Sequence, residues 1–212
     1  MNKDAMKHMK ILKVFILAVL FAGTAMAQSK VLSGITWNIG LPAGQMSNFM
    51  GKASYAGFGF ETHNFLTDDF SVGGSVSWNY WSEMTGETIQ LKQGALSGTQ
   101  IRYVNSIPIL LNGTFYLGGR RDELRPFLGL NAGAYYILQR LDMGVYSLDN
   151  DHWHFGLAPE AGFLYRASDD TYITAAGRYN YAFSSGETVS GQKNTVAYWG
   201  INIGIAYTPS WL

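Results

Sequence analysis

The feature that most constrains this chain is a two-residue alternation that returns eight times. Its clearest instance is FSVGGSVSWNY, Phe70 to Tyr80. Even positions carry Phe70, Val72, Gly74, Val76, Trp78 and Tyr80; odd positions carry Ser71, Gly73, Ser75, Ser77 and Asn79. Successive side chains of an extended chain point to opposite faces, so this pattern predicts a strand with one bulky apolar face and one small polar face. The same reading predicts strands over 31–41, about 53–65, 99–117, 125–139, 153–166, 171–183 and 196–208. In the last of these Trp199, Ile201, Ile203, Ile205 and Tyr207 oppose Gly200, Asn202 and Gly204.

The connectors alternate in length. LTDD, GGRRDEL and ASDD are short, whereas PAGQMSNFMGK, SEMTGETIQLKQGALSG, DMGVYSLDNDH and SSGETVSGQKN are long. An even number of antiparallel strands, with short turns at one end and long loops at the other, is the plan of a membrane barrel. The expected fold is all-β: an eight-stranded antiparallel up-and-down transmembrane β-barrel with short periplasmic turns and longer extracellular loops. Closure is required because an open sheet edge in hydrocarbon leaves backbone groups unsatisfied at several kcal/mol each.

Alternation alone does not say which face points inward. Charged residues are 14% of the chain, against roughly 25% in a soluble domain. Well inside the predicted strands the charges are Glu61, Arg102, Glu160 and Arg178, all on the small polar parity. That parity, rich in Gly, Ser, Thr and Asn, suits the narrow interior of eight strands, which has room for side chains only. The bulky parity carries aromatics towards the strand ends. Phe70, Phe115, Phe163, Tyr165 and Tyr207 lie at the short-turn end. Trp78, Tyr80, Tyr103, Tyr136, Trp153, Tyr179 and Tyr181 lie at the long-loop end. Two such girdles suit the two membrane–water interfaces, so the bulky face is expected to meet lipid.

The N-terminus reads as a cleaved signal peptide over residues 1–27, leaving the barrel domain as 28–212. Lys3, Lys7, Lys10 and Lys13 precede the apolar run VFILAVLFAG, which ends at Ala25-Met26-Ala27. That is a basic region, an apolar core and a small-x-small cleavage site. Cleavage would remove four Lys and one Asp from 15 basic and 15 acidic residues, leaving 11 and 14. A net of −3 favours neither nucleic acid nor a polybasic membrane contact. There is no cysteine, which excludes disulfides, thiol nucleophiles and thiolate metal sites.

Candidate site residues follow from parity and turn length. A three-residue turn, Ser168–Asp170, sets position 160 opposite position 178, so Glu160 and Arg178 are expected to form an ion pair in the lumen. Glu61 and Arg102 extend it, with Arg102 nearer the loop end. His152 and His154, with Asp149 and Asp151, form the metal-like cluster SLDNDHWH, but its spacing is not a ligand signature. No nucleophile stands beside His154, so neither catalysis nor a cofactor is expected.

The run SIPILLNGTFYLGG (106–119), a charged turn and RPFLGLNAGAYY (125–136) together resemble the central hairpin of the small outer-membrane β-barrel family, the OmpX- and OmpA-like group. The resemblance implies eight strands, residence in the bacterial outer membrane and folding by the barrel-assembly machinery. It implies contact with outer-membrane lipid and lipopolysaccharide, and no shared catalytic residues. It also implies a last strand ending in an aromatic, whereas this chain ends Trp211-Leu212. The expected function is structural or surface-interactive, in a monomeric barrel with a filled lumen. The alternatives are a narrow pore or lateral path for small hydrophobic molecules, and a lipid-modifying enzyme.

Overall fold

Each alternating segment satisfies its backbone by pairing with its neighbours in sequence, and the last pairs with the first. In chain order the elements are β1 (Val31–Ala43), α1 (Met46–Phe49), β2 (Ala56–Phe65), β3 (Phe70–Thr85), β4 (Ile89–Leu91), β5 (Gly94–Leu96), β6 (Gln100–Tyr116), β7 (Leu124–Met143), β8 (Tyr146–Arg166), β9 (Thr171–Ala182) and β10 (Val196–Tyr207). This computed structural model describes residues 31–86, 89–91, 94–96, 100–119, 122–143, 146–185 and 195–208. The leader assigned to 1–27 and the terminal Trp211-Leu212 lie outside the described residues.

The barrel order is β1-β10-β9-β8-β7-β6-β3-β2, and β4 and β5 form a separate two-stranded sheet. All barrel pairs are antiparallel, and closure runs from Ser33↔Tyr207 to Ala43↔Ala197. Exposure alternates with parity. Ile35, Phe58, Leu111, Leu128, Phe155 and Ile205 stand exposed on the outside, while Asn38, Asn131, Glu160, Arg178 and Asn202 are buried inside. An apolar band of this extent is intolerable in water and suits hydrocarbon.

The short turns are tied by their own backbone. Leu66 N donates to Phe70 O at 2.9 Å, and Ala167 N donates to Thr171 O at 3.0 Å. The second bond holds the register that sets Glu160 opposite Arg178. Pro108 and Pro159 sit within strands, and the ladder skips beside each: between Val76↔Ile109 and Asn79↔Ser106, and between Leu157↔Tyr181 and Glu160↔Arg178. Proline lacks the N–H a ladder needs. Beside Pro159, Asn131 Nδ2 donates to Ala158 O from the lumen at 2.9 Å.

Two expectations are corrected. The stretches after the third and fifth segments are not simply loops: β3 and β6 stay paired out to Thr85↔Gln100, and β7 and β8 out to Met143↔Tyr146. Pairing needs no lipid, so the ladders run on past the apolar band, where alternation fades because both faces meet polar surroundings. The lumen is also not lined by small residues alone. Trp81, Tyr116, Phe127, Tyr135 and Tyr198 are buried in it. Glycines on facing walls make the room. A Cβ at Gly40 would overlap the Trp81 ring, and one at Gly156 would lie 2.6 Å from Tyr135 Cε2. The interior matches large against small, as small barrels must.

Candidate functional site

The inward parity builds a lumen in three tiers. At the long-loop end the cluster comprises Trp81, Tyr135, Tyr198, Val104, Ile137 and Val196, together with Met46 and Met50 from the first connector. Trp81 meets Tyr198 edge-on with ring centres 5.0 Å apart, and its indole N–H donates to Gly40 O at 3.0 Å. The first connector is fastened across this mouth. Arg102 Nη1 donates to Phe49 O at 3.1 Å, its guanidinium lies 5.5 Å from the Phe49 ring centre, and Gly51 N donates to Glu83 Oε2 at 2.6 Å. Ser54 Oγ donates to Tyr80 O.

The middle tier is ionic. Arg178 Nε donates to Glu160 Oε2, and Arg178 Nη2 reaches Glu61 Oε2 at 3.4 Å. On β2 the imidazole of His63 follows Glu61 on the same face, with Nε2 3.9 Å from Glu61 Oε1. Its Nδ1 lies 3.4 Å from Ser71 Oγ. All four ionisable side chains are largely withdrawn from solvent. In such surroundings a charge survives only if it is paired and hydrogen-bonded.

The tier at the short-turn end is apolar again: Leu32, Tyr116, Phe127, Leu164, Ala176 and Ala206. Arg125 closes it, 5.0 Å from the Tyr116 ring centre. Arg125 Nη2 donates to Asp68 O at 2.8 Å and lies 3.8 Å from Asp69 Oδ1.

Of the four lumen charges named from sequence, the structure thus brings Glu160, Arg178 and Glu61 together. Arg102 is not with them. It lies eight residues along β6 from Leu110, which is level with Glu61 through Ser75. That is about 26 Å of strand, and Arg102 serves the loop cap instead. His63 was missed, although its shared parity with Glu61 was readable. The inward aromatics were missed too, and adjacent bulky pairs signalled them. In Tyr80-Trp81, Phe115-Tyr116, Tyr135-Tyr136 and Tyr198-Trp199, a two-residue period forces one member of each pair inside.

On the outside the bulky aromatics touch in runs around the wall. At the long-loop level Phe58 meets Trp78 at 5.6 Å, Trp78 meets Tyr80 at 6.0 Å and Tyr80 meets Tyr103 at 6.1 Å. Further round, Tyr136 meets Trp153 at 5.3 Å. Tyr179 meets Trp199 at 4.7 Å and Tyr181 at 6.5 Å. Phe70, Phe115, Phe163, Tyr165 and Tyr207 stand exposed at the other end.

His152 and His154 lie with ring centres 6.4 Å apart, and His154 Nδ1 is spent on Phe183 O at 2.8 Å. Among the described residues no group of three or more His, Cys, Asp or Glu gathers to hold a metal. Ser71, His63 and Glu61 fall in the order of a hydrolytic triad, but Ser71 is fully buried. Beyond the band, at the tip of the β7–β8 hairpin, the Ser147 hydroxyl and the Arg140 guanidinium hold the Asp142 carboxyl below its ordinary value.

With this geometry in hand, comparison with solved structures is decisive for the fold. The chain is similar to Ail, the attachment invasion locus protein of Yersinia pestis, in complex with the heparin analogue sucrose octasulfate. The TM-score is 0.51 at 14% identity, over 85% of this chain and 97% of that one. A second crystal structure of Yersinia pestis Ail gives a TM-score of 0.50 at 14% identity, again over 85% and 97% of the two chains. The fold is that of the small outer-membrane β-barrels. No protein-family model and no curated protein matches the sequence. In this barrel the ionic tier and the two apolar tiers that flank it, all on the inward face of the wall, form the candidate site.

Proposed function

We propose that this barrel is a closed outer-membrane scaffold, with a structural role in the envelope and a surface-interaction role for its loops. The observation that carries the reading is the lumen, occupied at three successive levels. Met46, Met50, Trp81 and Tyr198 fill the outer mouth, the Glu61–Arg178–Glu160 network crosses the middle, and Tyr116, Phe127 and Leu164 fill the inner end. A solvated ion finds no continuous water path through such a stack. The paired extensions of β3, β6, β7 and β8 beyond the barrel provide a stiff base for the exposed loops.

Its lipid partners are outer-membrane phospholipid and lipopolysaccharide, held against the apolar band and the aromatic girdles. It acts as a monomer, and its insertion depends on the barrel-assembly machinery. Planar-bilayer recordings test the closed state. The expected trace has no discrete steps, and reproducible unitary conductance would overturn the proposal.

One observation favours a second reading, a path for small hydrophobic molecules. The outer tier is an apolar cluster covered by the short helix α1, whose Met46 and the following Met50 are buried in it. Uptake of a fluorescent alkyl probe into vesicles separates the two. The scaffold reading predicts the rate of protein-free lipid, and a path predicts saturable acceleration.

A further inference from the structure

The outward parity that meets lipid is interrupted near the short-turn girdle. Along β2 the outward positions run Phe58, Phe60, Thr62 and Asn64, and along β3 Gly74 stands between Val72 and Val76. The register puts Thr62 beside Gly74 and Asn64 beside Val72, so the interruptions adjoin. On the next strand Leu111 is in register with Gly74 and stands 75% exposed. A low floor between taller neighbours leaves a recess of about 460 Å³ on the outer wall, lined among others by Thr62, Asn64, Val72, Gly74 and Leu111. That volume lies within the range of sites that hold a small molecule.

Asn64 sets the chemistry of the recess. It is 9% exposed although it lies on the outward parity, and its carboxamide makes no hydrogen bond with another described residue. A polar group withdrawn from water is costly without a partner, and hydrocarbon supplies none. Beside it Ser33 Oγ donates to Thr62 Oγ1 at 3.4 Å, so the polar groups gather at one end. That end lies level with the girdle, since Ser33 is in register with Tyr207. A phosphate there would call for Arg or Lys, and the adjoining β2–β3 turn carries Asp68 and Asp69, both exposed. Arg125, the cation at that turn, is spent inside the lumen on Asp68 O and the Tyr116 ring. The neutral acceptor at this depth is the ester carbonyl that joins an acyl chain to glycerol.

We propose that this recess holds one glycerophospholipid of the periplasmic leaflet, its acyl chain laid over Gly74 and its ester carbonyl accepting from Asn64 Nδ2. Val72 and Leu111 flank the chain, and the amide fixes its depth. One lipid is then ordered at a fixed place on a wall that elsewhere meets a fluid shell. The inference rests on the lipid partnership proposed above, and it holds whether or not the lumen conducts. Loss of lipid selectivity sinks it alone, since a barrel that meets all lipid alike remains a closed scaffold.

Native mass spectrometry of the full barrel, released from micelles holding equal amounts of a diester phosphatidylethanolamine and its diether analogue, tests it. The diether has the same chains and headgroup but no ester carbonyl. The unaltered barrel is expected to retain one phospholipid, with the diester favoured about three- to tenfold, the worth of one neutral hydrogen bond. Asn64→Leu is expected to bring the two lipids to equal retention, and Gly74→Ile to lose the adduct. Isoleucine at 74 restores the regular outward alternation, and a Cβ there meets nothing nearer than Leu110 O at 3.4 Å, so the variant folds. Equal retention of diester and diether by the unaltered barrel would overturn the inference, as would an adduct untouched by Gly74→Ile. So would a two-barrel species that Gly74→Ile dissolves, which assigns the recess to a second copy of the chain. If neither variant inserts, the lipid competition in the unaltered barrel still decides.

Discussion

Asn202 and Ile203 are neighbours on β10, yet Asn202 is 7% exposed inside the barrel and Ile203 is 43% exposed outside it. The two faces of the wall answer to different solvents. Outside, any bulky apolar side chain serves, and Val, Ile, Leu and Phe follow one another without specific partners. Inside, specific pairs recur: Glu160 with Arg178, Trp81 with Gly40, Tyr135 with Asn180 at 3.1 Å. The outer face is set by hydropathy and the inner face by complementarity, so the two should respond differently to substitution.

The largest expected effect lies inside. Glu160→Gln or Arg178→Ala alone should lower unfolding free energy by about 3–5 kcal/mol, because each breaks the buried ion pair while one of its charges stays desolvated. The double change should cost clearly less than the sum of the singles in denaturant titrations. Additive losses would show that the two side chains do not act as a pair.

Next comes a charge on the outside. Ile203→Lys, midway between Trp199 and Tyr207 on β10, should cost about 2–4 kcal/mol in the same titrations. Ile203→Val should be close to neutral. Gly40→Ala should cost about 1–3 kcal/mol by overpacking Trp81, and Trp81→Leu should recover part of that loss. Each contrast sharpens the comparison, since a one-atom change inside then rivals a full charge outside.

How legible this was varies with the face. Strand positions, outward parity and the opposition of Glu160 to Arg178 follow from a period of two and a turn of known length. That Arg102 lies nearer the loop end was legible from its position along the segment, but its partner there, the Phe49 carbonyl of the first connector, was not, because parity does not say which loop folds across the mouth. Trp81 and Tyr198 were masked by their outward neighbours Tyr80 and Trp199, which satisfied the pattern first. The cap by Met46 and Met50 was hidden because one helical turn is too short to show a period. Extension of the ladders to Thr85 and Met143 was hidden for a related reason: once hydrocarbon no longer dictates one face, hydropathy stops marking the strand.

The smallest expected effect is at the β7–β8 tip, outside both environments. The Asp142 carboxyl is held low first by the Ser147 hydroxyl and then by Arg140. A carboxyl lowered in the folded state contributes its stability above its unfolded value and loses it as pH falls through the folded one. Amide exchange at Leu141 and Leu148 should therefore quicken on acidification below the ordinary carboxylate range. Asp142→Asn should remove that acid dependence while leaving the rest of the barrel unchanged.

The central claim is the orientation of the wall, and the absence of cysteine makes it directly measurable. Spin labels placed one at a time at Asn202→Cys and Ile203→Cys, in the barrel reconstituted in lipid, report collisions with oxygen dissolved in the bilayer and with a water-soluble nickel complex. The account predicts strong oxygen relaxation and negligible nickel relaxation at 203, and little of either at 202. Nickel relaxation at 203 approaching that of a free loop would contradict it.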